Sequence, residues 1–249
     1  MYNVLISGAM GRMGKEVAAR IAESDNMNVT CGFDREENLS LSFPIYSDII
    51  NIKEKVDVII DFSHPTMTME ILEYAKKKSI PIVIATTGFD EEQEKAIKEC
   101  SRYVPVFKSA NMSFSINLMC KVLKEIAPLL SDSDIEITET HHRNKKDAPS
   151  GTALLLANKI NESLENKMNY VFDRHSMSQK RSDNEIGFSS IRGGNIVGEH
   201  TVQFFSDFET FEIKHTCHSR SVFADGAIKA AMFMIGKPAG MYTMDDLIR

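Results

Sequence analysis

Through the first half of the chain, short apolar runs alternate with longer amphipathic ones. Val4-Leu5-Ile6, Asn28–Phe33, Val56–Phe62, Ile80–Ala85 and Val104–Phe107 are short, apolar and rich in β-branched residues, as buried strands are. Between and after them, Lys15–Glu23, Met67–Lys78, Asp90–Arg102 and Phe114–Leu130 place apolar residues at helical spacing. Strands alternating with helices predict βαβ crossovers and a parallel sheet. Ligands of such sheets bind outside the carboxyl ends of the strands. The turns at Gly8–Gly14, Asp34, Phe62–His64, Ala85–Thr87 and Ala110–Asn111 are therefore expected along one edge. Beside Pro65, His64 reads as a turn residue without chemistry.

The pattern changes after Leu130. Asp134-Ile-Glu-Ile-Thr138 alternates polar and apolar residues, as a strand with one buried face does, and Ala153–Leu164 reads as a helix. Val171–Gly187 is polar and irregular and is expected to be a loop. Gly187–Ile191, Gly198–Phe205 and Thr210–Cys217 then alternate, separated by Arg192-Gly-Gly-Asn195 and Ser206-Asp-Phe-Glu209, which predicts an antiparallel meander. The apolar run Ala224–Ile235 predicts a last helix that returns to the first domain. The expected class is α/β followed by an α+β part with an open sheet.

Two stretches carry candidate chemistry. Gly8-Ala-Met-Gly11-Arg-Met-Gly14 lies between a strand and a helix, the setting in which glycines let pyrophosphate approach a helix start. Asp34 ends the second strand, about 20 residues on, where an acid holds the ribose hydroxyls of NAD; Arg35 is placed to meet the 2′-phosphate of NADP. The second stretch is Glu139-Thr-His-His-Arg-Asn-Lys-Lys-Asp-Ala-Pro-Ser-Gly-Thr-Ala153. It combines two imidazoles, a cationic rim and, at Ser150, an N-cap whose helix start offers free N–H groups to an anion. Proton donors, cations and an anion cradle suit a small acidic substrate. His215-Thr-Cys217-His218 is not read as a metal site, because on a strand His218 faces away from the other two. Ser150, His141 and Asp147 are not read as a hydrolase triad, for want of a nucleophile elbow.

Composition narrows the function classes. The 249 residues carry a formal net charge of −6, which argues against a nucleic-acid binder. Cys31, Cys100, Cys120 and Cys217 show no paired spacing, and no apolar run suggests a membrane segment or signal peptide. A cytoplasmic protein with reduced thiols is expected.

With these residues in view, the chain resembles the bacterial dihydrodipicolinate reductase family along nearly its whole length. The resemblance rests on Gly8–Gly14, Thr86-Thr-Gly88, Ala110-Asn-Met-Ser113, His141–Ala153, Ile191–Thr201 and Ser219–Ala227. It implies a Rossmann-type dinucleotide-binding domain from 1–112 and 220–249. A middle domain, 113–219, would bind substrate and form a homotetramer through its open mixed sheet. It also implies hydride transfer from NADH or NADPH to a cyclic imine with two carboxylates, in the diaminopimelate route to lysine. By motif, His141 is the expected acid/base and Lys145 the proton donor, with His142, Gly151 and Thr152 holding substrate. Gly8, Ala9, Met10, Gly11, Arg12, Met13, Asp34, Arg35, Ala85, Thr86, Thr87, Ala110, Asn111, Met112 and Ser113 are expected at the cofactor. Ala85 stands where the family usually has glycine and Met112 where it has phenylalanine, and the segment from Asn38 to Asp57 is short. The alternatives are another NAD(P)-dependent dehydrogenase of amino acids or aspartate derivatives, and a non-catalytic NAD(P) sensor.

Overall fold

The computed structural model describes residues 1–37, 42–175 and 177–248. The chain runs β1 (Tyr2–Ser7), α1 (Arg12–Ala22), β2 (Met27–Phe33), β3 (Ile45–Tyr46), β4 (Val58–Asp61), α2 (Pro65–Lys78), β5 (Ile82–Ile84), α3 (Glu91–Cys100) and β6 (Pro105–Lys108). It continues with α4 (Phe114–Ile126), β7 (Asp134–His141), α5 (Gly151–Ser163), β8 (Asn169–Val171), β9 (Glu185–Arg192), β10 (Gly198–Phe205) and β11 (Thr210–Cys217). It closes with α6 (Ser221–Met234), β12 (Gly240–Tyr242) and α7 (Met244–Leu247). Two compact units result, Met1–Phe114 with Arg220–Arg249, and Ser115–Ser219.

In the first unit seven strands run in the order β12-β6-β5-β4-β1-β2-β3, every neighbouring pair parallel. Strand alternation divides the side chains between two cores. Val4, Ile6, Val58, Ile60, Val83 and Phe107 face α1 and α6, while Leu5, Ile59, Ile82, Ile84 and Val106 face α2 and α3. The strand order reverses between β1 and β4, whose carboxyl ends therefore open a crevice. β3 and β12, two and three residues long, are too short to show a period in the sequence. The beginning of the short segment from Asn38 lies outside the described residues. Gly226 seats α6: a Cβ there would lie 1.7 Å from the carbonyl oxygen of Met112.

In the second unit the order is β11-β10-β7-β9-β8. β10 is antiparallel to both β7 and β11, while β9 is parallel to β7 and β8. The expected meander is thus corrected: β7 lies between β9 and β10, which are not neighbours. The reason is local. The turn groups at Arg192–Asn195 bond to the histidine loop instead of closing a hairpin: Gly193 N–H donates to His141 O (3.0 Å), Arg143 N–H to Gly194 O (3.2 Å) and His142 N–H to Ile196 O (2.8 Å). The expected loop Val171–Gly187 is shorter than predicted, because β8 ends at Val171 and β9 begins at Glu185, and Ser176 within it is outside the described residues. Likewise the helix expected over Phe114–Leu130 is α-helical only to Ile126 and 3-10 over Ala127–Leu130, where Pro128 cannot donate to the ladder. α4 and α5 cover one sheet face, burying Ile116, Leu123, Leu156 and Ile160 against Ile135, Ile137, Ile186 and Val202. Among the described residues no helix is long and apolar enough to cross a membrane.

Replacing Gly226 by alanine is expected to lower stability by about 1–3 kcal/mol, the usual cost of overpacking. Urea unfolding would read the loss; an unchanged midpoint would mean that α6 is not held against the Met112 carbonyl.

Candidate active site

The strand ends of the first unit bring the predicted glycine turn and its neighbours together. Gly8 has a φ of +77°, which glycine adopts without cost, and a Cβ on Gly14 would sit 2.1 Å from the Gly8 carbonyl oxygen. Gly11 is the N-cap of α1, and no side chain caps that helix start. With glycine as N-cap, no capping side chain occupies the positive end of α1, which suits an anion there. Asp34 closes the turn from β2: its carboxylate accepts the Met10 N–H at 2.7 Å and the Arg35 N–H at 2.7 Å. Arg35 itself is exposed.

A pocket of about 320 Å³ opens on the same edge, lined by Arg12, Met13, Phe62, Ser63, His64, Pro65, Ala85, Thr86 and Thr87. Here the structure adds Phe62, Ser63 and His64 to the predicted set. His64 lines the pocket and also caps α2, accepting the Thr66 N–H. Beneath the pocket Asp61 is fully buried at the end of β4. It accepts hydroxyl hydrogens from Ser63 (2.5 Å), Thr68 (2.7 Å) and Thr86 (2.9 Å), and Thr86 Oγ1 in turn accepts the Ser63 N–H at 2.9 Å. Burial pushes the Asp61 carboxyl up, against the pull of those hydroxyls. One carboxyl group thus fixes two of the turns that line the pocket. Among the remaining candidates, Ala9 and Met112 have their side chains in the core, so only their main chains are available at the edge. Asn111 shapes its own turn, its side-chain oxygen accepting the Ser113 N–H at 2.8 Å.

In the second unit, the inner sheet face changes character along the strands. Its first rows are apolar: Ile135 pairs with Ile186 and Phe204, and Ile137 with Phe188 and Val202. The next row sets Glu139 beside Ser190 and His200, with His215 beyond, and the last sets His141 beside Arg192. The strand period, continued past the helices, places Glu139 and His141 on the buried face. His141 is only 7% exposed, with Nδ1 bonded to Glu139 Oε2 at 2.5 Å. Glu139 Oε1 also accepts the N–H of Ser150, the N-cap of α5, at 3.2 Å. Ser150 Oγ takes the Ala153 N–H (3.1 Å) and meets His200 Nε2 (2.9 Å), so its histidine partner is His200 rather than His141.

The loop between β7 and α5 carries the remaining candidates. Lys145 is half-buried and pairs with Asp147 Oδ2 at 3.0 Å, whereas Lys146 is exposed. Asp147 is held below the usual carboxylate range by Lys145 and by the Gly151 N–H, though burial opposes them first. A carboxylate at this spot therefore engages the lysine. Gly151 has nothing within 4 Å of where a Cβ would stand, so the start of α5 faces open space there. His142 is fixed by its main-chain bond to Ile196.

Burial would raise Glu139, yet hydrogen bonds from Arg192, His141 and Ser190 prevail and bring its pKa to about 2. His141 is lowered: burial is the largest cause and prevails over the raising effect of Glu139, with smaller lowering contributions from Lys145 and Arg192. Burial thus favours the uncharged imidazole at His141. His200, buried beside it, is pushed down to about 3. Among the described residues no group of three or more His, Cys, Asp or Glu is arranged to hold a metal ion.

Comparison with known proteins follows the same division of the chain. The family model for dihydrodipicolinate reductase, N-terminus, matches residues 2–112, and that for dihydrodipicolinate reductase, C-terminus, matches residues 115–248. The 4-hydroxy-tetrahydrodipicolinate reductase of Caldanaerobacter subterraneus subsp. tengcongensis is 47% identical over 249 residues, covering 100% of this chain and 99% of the relative. That of Clostridium novyi is 46% identical over 251 residues, with the same coverage. Among solved structures, the dipicolinate-bound dihydrodipicolinate reductase from Paenisporosarcina sp. TG-14 aligns with a TM-score of 0.79 at 24% identity, covering 98% of this chain and 97% of that one. This likeness shows the fold.

The buried histidines give stability a pH dependence. A histidine with a depressed folded pKa binds its proton more readily when unfolded, so stability rises with pH between the two values. Stability should therefore fall as pH drops from about 6.5 toward 3, with a contribution from His200 approaching about 1.4 kcal/mol per pH unit. Glu139 adds to the loss only below its unfolded value of 4.5. Urea unfolding between pH 7 and 5 should show a shallower slope in His200→Asn than in the parent; equal slopes would remove His200 from the account.

Proposed function

The chain belongs to the dihydrodipicolinate reductase family, and we propose on that premise how its residues share the family's reaction. It is an NAD(P)H-dependent oxidoreductase that carries out 4-hydroxy-tetrahydrodipicolinate reduction in the diaminopimelate route to lysine. The first unit is assigned as the dinucleotide-binding domain and the second as the substrate-binding and tetramerisation domain. Gly8–Met13, Asp34, Arg35, Ala85–Thr87 and Ala110–Ser113 are assigned to the cofactor. The start of α1, without a capping side chain, and the absent Cβ of Gly11 fit a pyrophosphate.

The observation that carries the substrate assignment is the end of β7. There a neutral histidine, a half-buried lysine and the open start of α5 occur within one short stretch of chain. Gly151 and Thr152 hold one substrate carboxylate through main-chain N–H groups, and His142 helps to hold the substrate. Asp147 marks where such a carboxylate fits. Bound NAD(P)H supplies the hydride to the imine carbon. The C=N electron pair then rests on nitrogen, and the Lys145 ammonium gives its proton there, leaving a neutral amine that solvent reprotonates. His141, with a free ring nitrogen, serves as the acid/base partner. Both cofactors are accepted: Asp34 favours the ribose of NADH, and Arg35 offsets its repulsion of the NADPH phosphate. Exposed Ile191 and Phe205, on the sheet face opposite α4 and α5, support a homotetramer.

Lys145→Ala should lower kcat by about 10²–10⁴-fold, the range for a lost general acid, with NADH affinity unchanged. Lys146→Ala should keep near-normal turnover; equal damage from both would make the loop a cationic patch without assigned roles. Pyridine-2,6-dicarboxylate should compete with substrate and raise the melting temperature of the NADH-bound protein, less so at high salt. No shift at millimolar concentration would place the cradle elsewhere. Steady-state kinetics should show less than about 10³-fold preference between NADH and NADPH, roughly 4 kcal/mol. Sedimentation at the mass of a dimer or monomer would remove the tetramer.

A further inference from the structure

Glu139 is almost wholly buried and makes contacts in three directions. His141 Nδ1 lies 2.5 Å from Oε2 and the Ser150 N–H 3.2 Å from Oε1. Arg192 approaches as a fork, Nη1 donating to Oε2 at 2.8 Å and Nη2 to Oε1 at 2.6 Å. Arg192 Nη2 also donates to the Asp147 carbonyl at 2.7 Å. A bidentate guanidinium keeps this carboxylate ionised despite its burial. An ionised carboxylate only accepts hydrogen bonds. The hydrogen between Glu139 and His141 therefore belongs to His141 Nδ1, and in the neutral ring Nε2 carries the lone pair.

The rest of the pocket keeps the ring in that pose. The His200 ring meets it edge-on, with centroids 5.1 Å apart at 74°. On β10, a Cβ at Gly198 would stand 3.0 Å from His141 Nε2, so this glycine leaves room for that nitrogen. The charged or titratable groups around His141 are Glu139 on its own strand, Arg192 on β9, His200 on β10 and Lys145 in the following loop.

We propose that Glu139, pinned by Arg192, is the positioning residue of His141: it holds the imidazole in the Nδ1–H tautomer, presents Nε2 to substrate, and ties the ring to the N-cap of α5. One carboxylate would thus set both the acid/base nitrogen and the anion cradle. The inference rests on the reading of His141 as the acid/base group.

The test is nitrogen-15 NMR of histidine-labelled full-length protein, alongside pH–rate profiles. In the parent, neutral His141 should show a protonated Nδ1 and a bare Nε2. In Glu139→Gln the Arg192 fork takes the amide oxygen and turns the amide N–H₂ toward His141. Nδ1 must then accept, and the tautomer reverses. Turnover should fall by about 10²-fold or more, the consequence of a wrong tautomer, with NADH affinity retained. With the carboxylate charge gone, the His141 titration should move to lower pH. Arg192→Gln does the opposite: it leaves the carboxylate uncompensated, so the same titration should move to higher pH. Adding Glu139→Gln to His141→Ala should cost far less turnover than Glu139→Gln costs the parent. An unchanged tautomer in Glu139→Gln, or shifts of the same sign in the two variants, overturns the proposal. Should Glu139→Gln fail to fold, the direction of the Arg192→Gln shift and the parent tautomer decide. Full turnover in His141→Ala would remove the acid/base reading alone, since the tautomer is measured without turnover.

Discussion

A carboxylate withdrawn from water must be answered by charge or hydrogen bonds, and the second unit is arranged around the answer given to Glu139. Arg192 supplies it from the neighbouring parallel strand. The bridge joins the end of β9, the end of β7, the loop at Asp147 and, through Ser150, the first turn of α5. Apart from the end of β9, each of these segments carries a group assigned to substrate or to the proton. Breaking the pair would leave an uncompensated buried charge, which typically costs about 3–5 kcal/mol. The interaction is thus structural and electrostatic at once.

The first unit meets the same demand differently. Among the described residues no cation pairs with Asp61; it accepts instead from the hydroxyls of Ser63, Thr68 and Thr86. Its carboxyl is pushed up, while that of Glu139 is pulled down to about 2. The contrast suits the two tasks. Asp61 organises turns, whereas Glu139 must remain an acceptor to govern a histidine tautomer.

The parallel unit was legible because buried strands and amphipathic helices leave strong periods, and the glycine turn has a spacing with a physical cause. The histidine stretch was legible as composition, and Ser150 as a helix cap. What stayed hidden depends on strand neighbours. Nothing in Ile191–Thr201 says that β7 separates β9 from β10, because Gly193-Gly194 is as good a hairpin signal as a loop signal. Arg192 and His200 escaped for the same reason: their meaning comes from standing across from His141 and Glu139. Glu139 sat in the motif, and the strand period sets it on the face of Ile135 and Ile137, but the Arg192 fork that answers its charge there has no sequence signal. His64 was expected on the same edge as Ala85–Thr87 but read as punctuation before a proline, and the structure sets it in the pocket wall.

The three main-chain bonds between the β9–β10 connection and His141–Arg143 give that connection a further property. Most surface loops can lengthen at little cost, since closure entropy grows only slowly with length. This one cannot, because its amides and carbonyls are in register with the histidines, and one inserted residue would shift every partner. It behaves as a ruler laid against the catalytic strand. Tolerance for inserted length belongs instead to the hairpin at Ser206–Glu209, whose tip residue Phe208 is 98% exposed.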